Sequence, residues 1–262
     1  MEVNLNGTRI HYERSGKGFP VVFIHAGIAD SRMWEPQATA FADQFDMIRP
    51  DLRGFGDTEL PPAPYSSVAD LVALLDHLQI DRAHVVGCSM GGTLAVDLAL
   101  EHPQRVERLV LVAAGVSGSD LGAADAALFT EVEEADKAGD MDGVNRAEVR
   151  LWVDGPGRRE GSAPATVRAL VLDMNRRSLH TDWASAKNLP IERPAITRLS
   201  DIAAPTLAIV GDQDLPHCLA NADLITSKVR GSRKVIIKDA AHLPSLERPE
   251  EFNRVLIDFL AG

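Results

Sequence analysis

The chain has 262 residues, 45% of them hydrophobic, so it is long enough to bury a sizeable core. Its 38 acidic and 27 basic residues give a net charge of -11, which argues against nucleic acid or an anionic membrane as a partner. No apolar run approaches the roughly 18 to 20 residues of a membrane span, and the N-terminus has no secretory pattern. We therefore expect a cytoplasmic protein, a monomer or homodimer, that acts on a small molecule.

The two cysteines, Cys88 and Cys218, are too few for a disulfide framework in a chain of this length. Their separation also lacks the spacing of zinc ligands. The sequence therefore predicts neither a metal site nor a cofactor.

Most of the chain alternates between strand patterns and helix patterns. Strands are predicted at 2–6, 8–14, 21–24, 45–50, 83–86, 106–114, 205–210 and 234–238. Helices are predicted at 34–45, from a capping Ser67 to Leu78, from Ser89 onward and at 250–260. This alternation predicts an α/β fold with a mostly parallel eight-stranded sheet and helices on both faces.

Residues 117–200 interrupt the alternation. They show no strand pattern, and helices are predicted at 121–138, 141–153, 164–179 and 181–188. A helical insertion between two strands is expected to form a cap over the carboxyl edge of the sheet, where ligands bind in such folds. We therefore divide the chain into a core (1–116), a helical cap (117–200) and the second part of the core (201–262).

Arginines dominate the second part of the cap. We interpret them as a solvated outer face, with a docking site for an acidic substrate or carrier protein as the alternative. They are Arg158, Arg159, Arg168, Arg176 and Arg177.

A glycine-flanked serine gives the strongest chemical signal. Gly87-Cys88-Ser89-Met90-Gly91 follows a buried strand and begins a helix, a context that projects the serine hydroxyl above the sheet edge. A larger residue at 87 or 91 would collide with neighbouring backbone, and the helix N-terminus favours negative charge nearby. The pattern predicts Ser89 as a nucleophile that attacks a carbonyl carbon. Cys88 is interpreted as a small buried filler.

A serine nucleophile needs a base, and histidine suits this role near neutral pH. Of the eight histidines, His242 follows the last predicted strand and is expected at the same sheet edge as Ser89. His25 lies in the loop after the third strand and is interpreted as structural.

The imidazole in turn needs a carboxylate that fixes its tautomer. Asp214 is the favoured acid. It lies just beyond the predicted strand 205–210, and His242 lies just beyond the next predicted strand, 234–238. Asp212 is expected to brace the turn through backbone N–H groups, and Asp120 follows an earlier strand; these two are the alternatives.

Five large side chains are candidates to line an apolar substrate pocket. They are Trp34, Phe129, Trp152, Met174 and Trp183.

Five segments together carry a resemblance to a known family. They are Ile24-His25-Ala26-Gly27, Asp51-Leu52-Arg53-Gly54-Phe55-Gly56, Gly87-Cys88-Ser89-Met90-Gly91-Gly92, Gly211-Asp212-Gln213-Asp214 and Ala241-His242. In this order they resemble α/β-hydrolases of the capped, single-domain type, among them 3-oxoadipate enol-lactonases, small carboxylesterases and carbon–carbon bond hydrolases.

The resemblance implies a nucleophile Ser89, a base His242 and an acid Asp214. It also implies an oxyanion hole formed by the backbone N–H groups of Gly27 and Met90. A serine at position 89 argues against dehalogenases and epoxide hydrolases, which share the fold but use aspartate there.

The sequence therefore predicts a serine hydrolase that cleaves a small carboxylic ester or lactone through an acyl-enzyme. One alternative is hydrolysis of a carbon–carbon bond in a diketone-like acid by the same residues. A second alternative is a small-molecule receptor or regulator that keeps the fold without turnover. Fold resemblance alone does not choose among substrates.

Overall fold

A computed structural model describes residues 1–119 and 123–262 of the chain. The strands are β1 (Glu2–Leu5), β2 (Thr8–Gly16), β3 (Phe19–Ile24), β4 (Phe45–Pro50), β5 (Pro64–Tyr65), β6 (Ala83–Cys88), β7 (Val106–Val112), β8 (Lys187–Asn188), β9 (Thr206–Gly211) and β10 (Arg233–Ile237). The helices are α1 (Glu35–Phe41), α2 (Ser67–His77), α3 (Met90–Glu101), α4 (Ala123–Ala126), α5 (Thr130–Lys137), α6 (Met141–Val149), α7 (Ala165–Leu179), α8 (Pro216–Lys228), α9 (Pro244–Glu247) and α10 (Pro249–Ala261). None of the described helices is long and apolar enough to cross a membrane.

Eight strands form one sheet in the order β1-β2-β4-β3-β6-β7-β9-β10. The β1–β2 and β2–β4 pairs are antiparallel, and every other pair in this sheet is parallel. The hairpin between β1 and β2 turns at Asn6 and Gly7, both with positive φ (47° and 78°), as the Asn-Gly signal predicts. The predicted eight-stranded, mostly parallel sheet is confirmed.

Both faces of the central strand β6 are buried, so apolar and polar residues do not alternate along it. Val85 faces the core that the sheet shares with α2, α3 and α8, whereas Val86 and Cys88 face the core on the side of α1 and α10. A strand buried on both faces is nearly continuous in apolar residues, and His84 is the buried polar exception in β6. The helices therefore cover both faces of the sheet, as predicted.

Two local expectations were wrong. The cap of α2 is Ser66, whose side chain accepts a hydrogen bond from Ala69 N, rather than Ser67, which is the first helical residue. The helix predicted at 181–188 is replaced by a 3₁₀ turn at Trp183–Ser185 and by β8, which pairs with β5 in a separate two-stranded sheet. Residues 187–188 pair with β5 in the segment after β4, so tertiary contacts override the local helical pattern.

The stretch between β7 and β9 holds α4 to α7, and α6 continues into a π-helical turn at Arg150–Asp154. Gly155 ends that turn with φ of 89°, a conformation that favours glycine. This turn brings Trp152 to the loop that carries His242.

Candidate active site

Ser89 lies at the junction of β6 and α3 in a backbone conformation that is rare for a residue with a side chain. Its φ is 54° and its ψ is -114°. Ser89 N donates to Val112 O on β7 at 2.8 Å, and Ser89 O accepts from Thr93 N in α3 at 2.9 Å. Hydrogen bonds on both sides thus hold this strained residue in place, as is usual at functional sites.

Three glycines make the turn at Ser89 sterically feasible. A Cβ atom at position 87 would lie 2.2 Å from Gly91 O, and one at position 91 would lie 2.5 Å from both Ile24 O and His25 O. The predicted need for glycine at 87 and 91 is confirmed. A Cβ at Gly92 would lie 2.5 Å from Ala114 Cβ, so a third glycine is required where α3 approaches the end of β7.

Asp214 and His242 meet as a buried pair. His242 Nδ1 lies 2.9 Å from Asp214 Oδ1 and 3.1 Å from Oδ2. Leu215 N donates to Asp214 Oδ1 at 2.8 Å, and His242 N donates to Trp152 O at 3.1 Å. A carboxylate on Nδ1 favours the tautomer with the proton on that nitrogen, which leaves Nε2 as a hydrogen-bond acceptor.

Asp212, one of the two alternative acids, makes other contacts. Asp212 Oδ1 accepts from Asp239 N at 2.8 Å, and Lys238 Nζ lies 3.2 Å from Asp212 Oδ2. Asp212 therefore joins the loop after β9 to the loop after β10 through a backbone N–H group, which is the kind of role that the sequence predicts. Asp120 lies outside the described residues.

His25 has both ring nitrogens engaged with backbone. Nδ1 donates to Ala26 O at 2.8 Å, and Nε2 accepts from Leu52 N at 3.0 Å. Complete burial lowers the pKa of His25, so its imidazole is neutral. His25 joins the loops after β3 and β4, in agreement with its interpretation as structural.

Ser89 and His242 line a cavity of about 690 Å³. Its apolar wall includes Leu52, Phe55 and Leu94, and its polar wall includes Asp97 and His217. No sequence pattern predicted a role for Asp97 or His217. The available signal for Asp97 is its spacing of four residues from Thr93, which places both on one face of the helix that follows Ser89.

Of the five predicted pocket residues, only Trp183 lines this cavity. Trp152 packs against the His242 ring at 4.3 Å between centroids, and Phe129 packs against Trp152 at 5.8 Å. These two side chains support the site from behind rather than lining it.

Trp34 and Met174 were wrong as pocket candidates. Trp34 is fully buried between Phe23 and Phe252, with ring centroids 5.1 and 6.2 Å away. Met174 on α7 is 1% exposed and belongs to a buried cluster with Val149 and Val171. Both side chains pack in the hydrophobic core, and an apolar sequence pattern does not distinguish a core position from a position in a pocket wall.

Gly27 and Met90, the predicted oxyanion donors, lie next to each other. A Cβ atom at Gly27 would lie 3.7 Å from Met90 Cβ and Sδ, an ordinary contact distance. Met90 is the first residue of α3, so its N–H has no partner within the helix. The loop after β3 and the start of α3 therefore form one wall beside Ser89.

A second histidine and carboxylate adjoin the cavity. His217 Nδ1 lies 3.3 Å from Asp125 Oδ2, and Asp125 is only 3% exposed. His217 Nε2 lies 3.4 Å from Cys218 Sγ, which is itself 3.7 Å from His242 Nδ1. Burial lowers the pKa of His217 and raises that of the Cys218 thiol, which keeps both groups neutral.

Cys88, one residue before Ser89, points to the other face of β6. Its side chain is fully buried, with Sγ 3.8 Å from His242 O. Burial raises the pKa of this thiol, which fits the prediction of a buried filler.

Four of the arginines at 158–177 lie beside carboxylates. The pairs are Arg158 with Glu247, Arg168 with Asp154 and Glu160, Arg176 with Asp142, and Arg177 with Asp57. Arg176 and Arg177 are about half exposed, as a solvated face predicts, whereas Arg158 and Arg168 are mostly buried and pair with buried carboxylates. Charges that are compensated in this way do not favour a docking site.

Comparison with known proteins gives a consistent picture. A family model described as "alpha/beta hydrolase fold" matches residues 20–249. The chain is 29% identical to 3-oxoadipate enol-lactonase 2 of Acinetobacter baylyi over 90% of this chain and 86% of that protein. It is 26% identical to a carboxylesterase of Bacillus subtilis over 92% of this chain and 80% of that one. The crystal structure of the enol-lactonase from Burkholderia xenovorans LB400 superposes with a TM-score of 0.82 at 26% identity, covering 100% of both chains.

Proposed function

Because the chain belongs to the α/β-hydrolase family, we propose that it is a serine hydrolase that cleaves a small carboxylic ester or lactone through an acyl-enzyme. The observation that carries the proposal is the buried Asp214–His242 pair, with Nδ1 2.9 Å from the carboxylate, in a cavity that Ser89 also lines. Esterase and enol-lactonase relatives support the same reaction class.

In the proposed reaction, Ser89 Oγ attacks the substrate carbonyl carbon while His242 Nε2 takes the hydroxyl proton. Asp214 holds the ring through Nδ1 and stabilises the imidazolium that forms. The carbonyl oxygen becomes negatively charged and accepts hydrogen bonds from Gly27 N and Met90 N. The positive end of the α3 dipole adds to this stabilisation.

The tetrahedral intermediate then collapses and the carbon–oxygen bond of the leaving alcohol breaks. The alcohol oxygen takes the proton from His242 Nε2, and an acyl ester on Ser89 remains. A water molecule attacks that ester while His242 Nε2 takes its proton. The bond between the acyl carbon and Ser89 Oγ then breaks, Ser89 Oγ takes the proton from His242, and the carboxylic acid leaves. In a lactone the alcohol and the acid belong to one product.

We assign residues 1–116 and 201–262 to the catalytic core and 117–200 to a cap that shapes the cavity. Support comes from Trp183, Ala186 and Asn188, which line the cavity, and from Asp125, which lies behind His217. In this assignment the core performs the chemistry and the cap influences substrate choice.

Ser89→Ala tests the proposal on a panel of short aryl esters, lactones and a ring-cleavage diketone. Its kcat on the best ester or lactone should fall at least roughly 10³-fold, as for other serine triads. Ser67→Ala is the matched control, because Ser67 also lines the cavity but lies at the start of α2. Mass spectrometry of the wild type after rapid quenching should detect an acylated peptide that contains Ser89.

Hydrolysis by Ser89→Ala at a near-normal rate would refute the nucleophile. Turnover confined to the diketone would favour carbon–carbon bond cleavage. A single turnover that then stalls would favour a receptor.

A further inference from the structure

One face of α3 forms a row of polar side chains along the cavity. Thr93 and Asp97 are four residues apart on α3, so they lie one above the other, and Ser89 directly precedes the helix; all three line the cavity. At a rise of 1.5 Å per residue, Asp97 lies about 12 Å from Ser89 along the helix axis. The cavity therefore has a nucleophile at one end and a carboxylate at the other.

Asp97 has a single hydrogen bond within the described part of the chain. Ser117 Oγ donates to Asp97 Oδ1 at 3.3 Å, and that hydroxyl oxygen accepts from Ala195 N at 2.9 Å. Arg198 is the nearby cation, but its guanidinium bonds to Glu101 and, at 3.3 Å, to Leu100 O. The carboxylate of Asp97 thus lacks a salt bridge to any described residue.

The other charged groups of the cavity wall have partners. Arg53 forms two hydrogen bonds to Asp70, at 2.6 and 2.8 Å. His242 pairs with Asp214, and His217 lies against Asp125. Among residues 1–119 and 123–262, Asp97 is therefore the uncompensated charge of this cavity.

Partial burial without a counter-charge raises the pKa of Asp97 to about 6, with Glu101 adding to the rise and Ser117 and Arg198 opposing it. At pH 8 the group is ionised in a partly desolvated position, where an added cation is attracted more strongly than in bulk water.

Aromatic rings form part of the same cavity. Phe55, Tyr65 and Trp183 line it, and the rings of Phe55 and Trp183 lie 5.0 Å apart. Aromatic faces attract cations, most strongly where water is excluded.

We propose that the substrate carries an ammonium or quaternary ammonium group remote from the scissile carbonyl, and that Asp97 binds this group. The inference rests on the proposed esterase or lactonase function and names its substrate class. The separation of about 12 Å includes the contact between Ser89 and the carbonyl carbon and the contact between Asp97 and the cation. The remaining length leaves room for about five to eight chain atoms between carbonyl and cation.

The test uses pairs of aryl alkanoates that end in either trimethylammonium or the isosteric, neutral tert-butyl group. At pH 8 the wild type should show a kcat/KM at least about tenfold higher for the cation at the best chain length, since one desolvated ion pair contributes about that factor or more. Asp97→Asn should bring the ratio close to one, because the amide carries no charge. Asp258→Asn, an exposed carboxylate on α10, is the control for net charge and should keep the wild-type ratio.

The ratio of the two kcat/KM values should also rise from pH 5 to pH 8 in the wild type as Asp97 ionises. Any effect of pH on the chemical step that the two esters share cancels in the ratio. The ionisable groups near Asp97 and in the cavity wall, which are Glu101, Arg198, His217, Arg53, Asp70 and His242, are all kept in Asp97→Asn. The ratio for that variant should therefore show the residual slope without the Asp97 step.

A ratio that is equal in the wild type and Asp97→Asn overturns the inference. If Asp97→Asn fails to fold, competitive inhibition of the wild type decides: an alkyltrimethylammonium should inhibit acetate hydrolysis more strongly than the tert-butyl isostere, and equal inhibition overturns the inference. An absence of acetate turnover in the wild type refutes the proposed function instead.

Discussion

Glu247 should make the protein less stable as the pH rises through neutrality. Its side chain is 2% exposed and accepts hydrogen bonds from Ala241 N at 2.9 and 3.1 Å, with Arg158 3.3 Å away. Burial raises its pKa from 4.5 to about 7, despite the opposing effects of the Ala241 amide and Arg158.

The sign and size of the effect follow from proton linkage. Because the pKa of Glu247 is higher in the folded chain, its contribution is fully present below pH 4.5 and is lost as the pH rises through 7. At about 1.4 kcal/mol per pH unit, the free energy of unfolding should lose about 3 kcal/mol over this range.

Glu247→Gln isolates this contribution, because the amide keeps the shape and stays neutral at every pH. Urea unfolding at pH 5 and pH 8 should give similar stabilities for wild type and variant at pH 5. At pH 8 the free energy of unfolding of Glu247→Gln should exceed that of the wild type by about 3 kcal/mol, after the difference at pH 5 is subtracted. Glu250→Gln, an exposed residue on α10, is the control and should follow the wild type. Parallel pH curves for wild type and Glu247→Gln would refute the reasoning.

Two further comparisons test the site. Asp214→Asn should lower kcat by about 10⁴ because the amide favours the wrong tautomer of the base, whereas Asp212→Asn should affect stability more than kcat; the reverse result in steady-state assays would make Asp212 the acid. Trp183→Ala should change the ranking of ester chain lengths with little effect on stability, because this ring lines the cavity and is 39% exposed. Trp34→Ala should instead reduce the free energy of unfolding by about 3 to 5 kcal/mol and keep the ranking of ester chain lengths. An unchanged ranking in both variants would show that Trp183 does not contact the substrate.

Elements whose chemistry is local were predictable from the sequence. Strands buried on both faces favour nearly continuous apolar residues, so the runs at 85–86 in β6 and 207–210 in β9 stand out. The turn at Ser89 admits only glycine at two flanking positions, which makes its motif specific. The contact between Asp214 and His242 follows from chain order, because the carboxyl ends of parallel strands share one edge of the sheet.

Elements that depend on long-range packing were not predictable. Trp34 and Trp183 are the same residue type, so the sequence alone does not distinguish their environments. Trp34 packs between Phe23 and Phe252, whereas Trp183 lines the cavity. β8 has two residues and exists through its partner β5, in which Tyr65 pairs with Asn188, 123 positions later. Asp97 carries a helical spacing from Ser89, but its lack of a cationic partner is visible only once Arg198 is seen bonded to Glu101.

The pairing of β5 with β8 bears on how the segment at 117–200 can move. Besides its two covalent ends, this segment is fastened to the loop after β4: Leu189 N donates to Tyr65 O at 2.7 Å, and Thr181 Oγ1 donates to Gly54 O at 3.0 Å. The Trp183 ring also seats so closely on Gly54 that a Cβ there would lie 2.6 Å from it. A body held at three separated places has no free axis of rotation, so it cannot swing open like a hinged lid without breaking these bonds. Ligand traffic would then pass through a fixed aperture, whose width is set by the side chains at its rim.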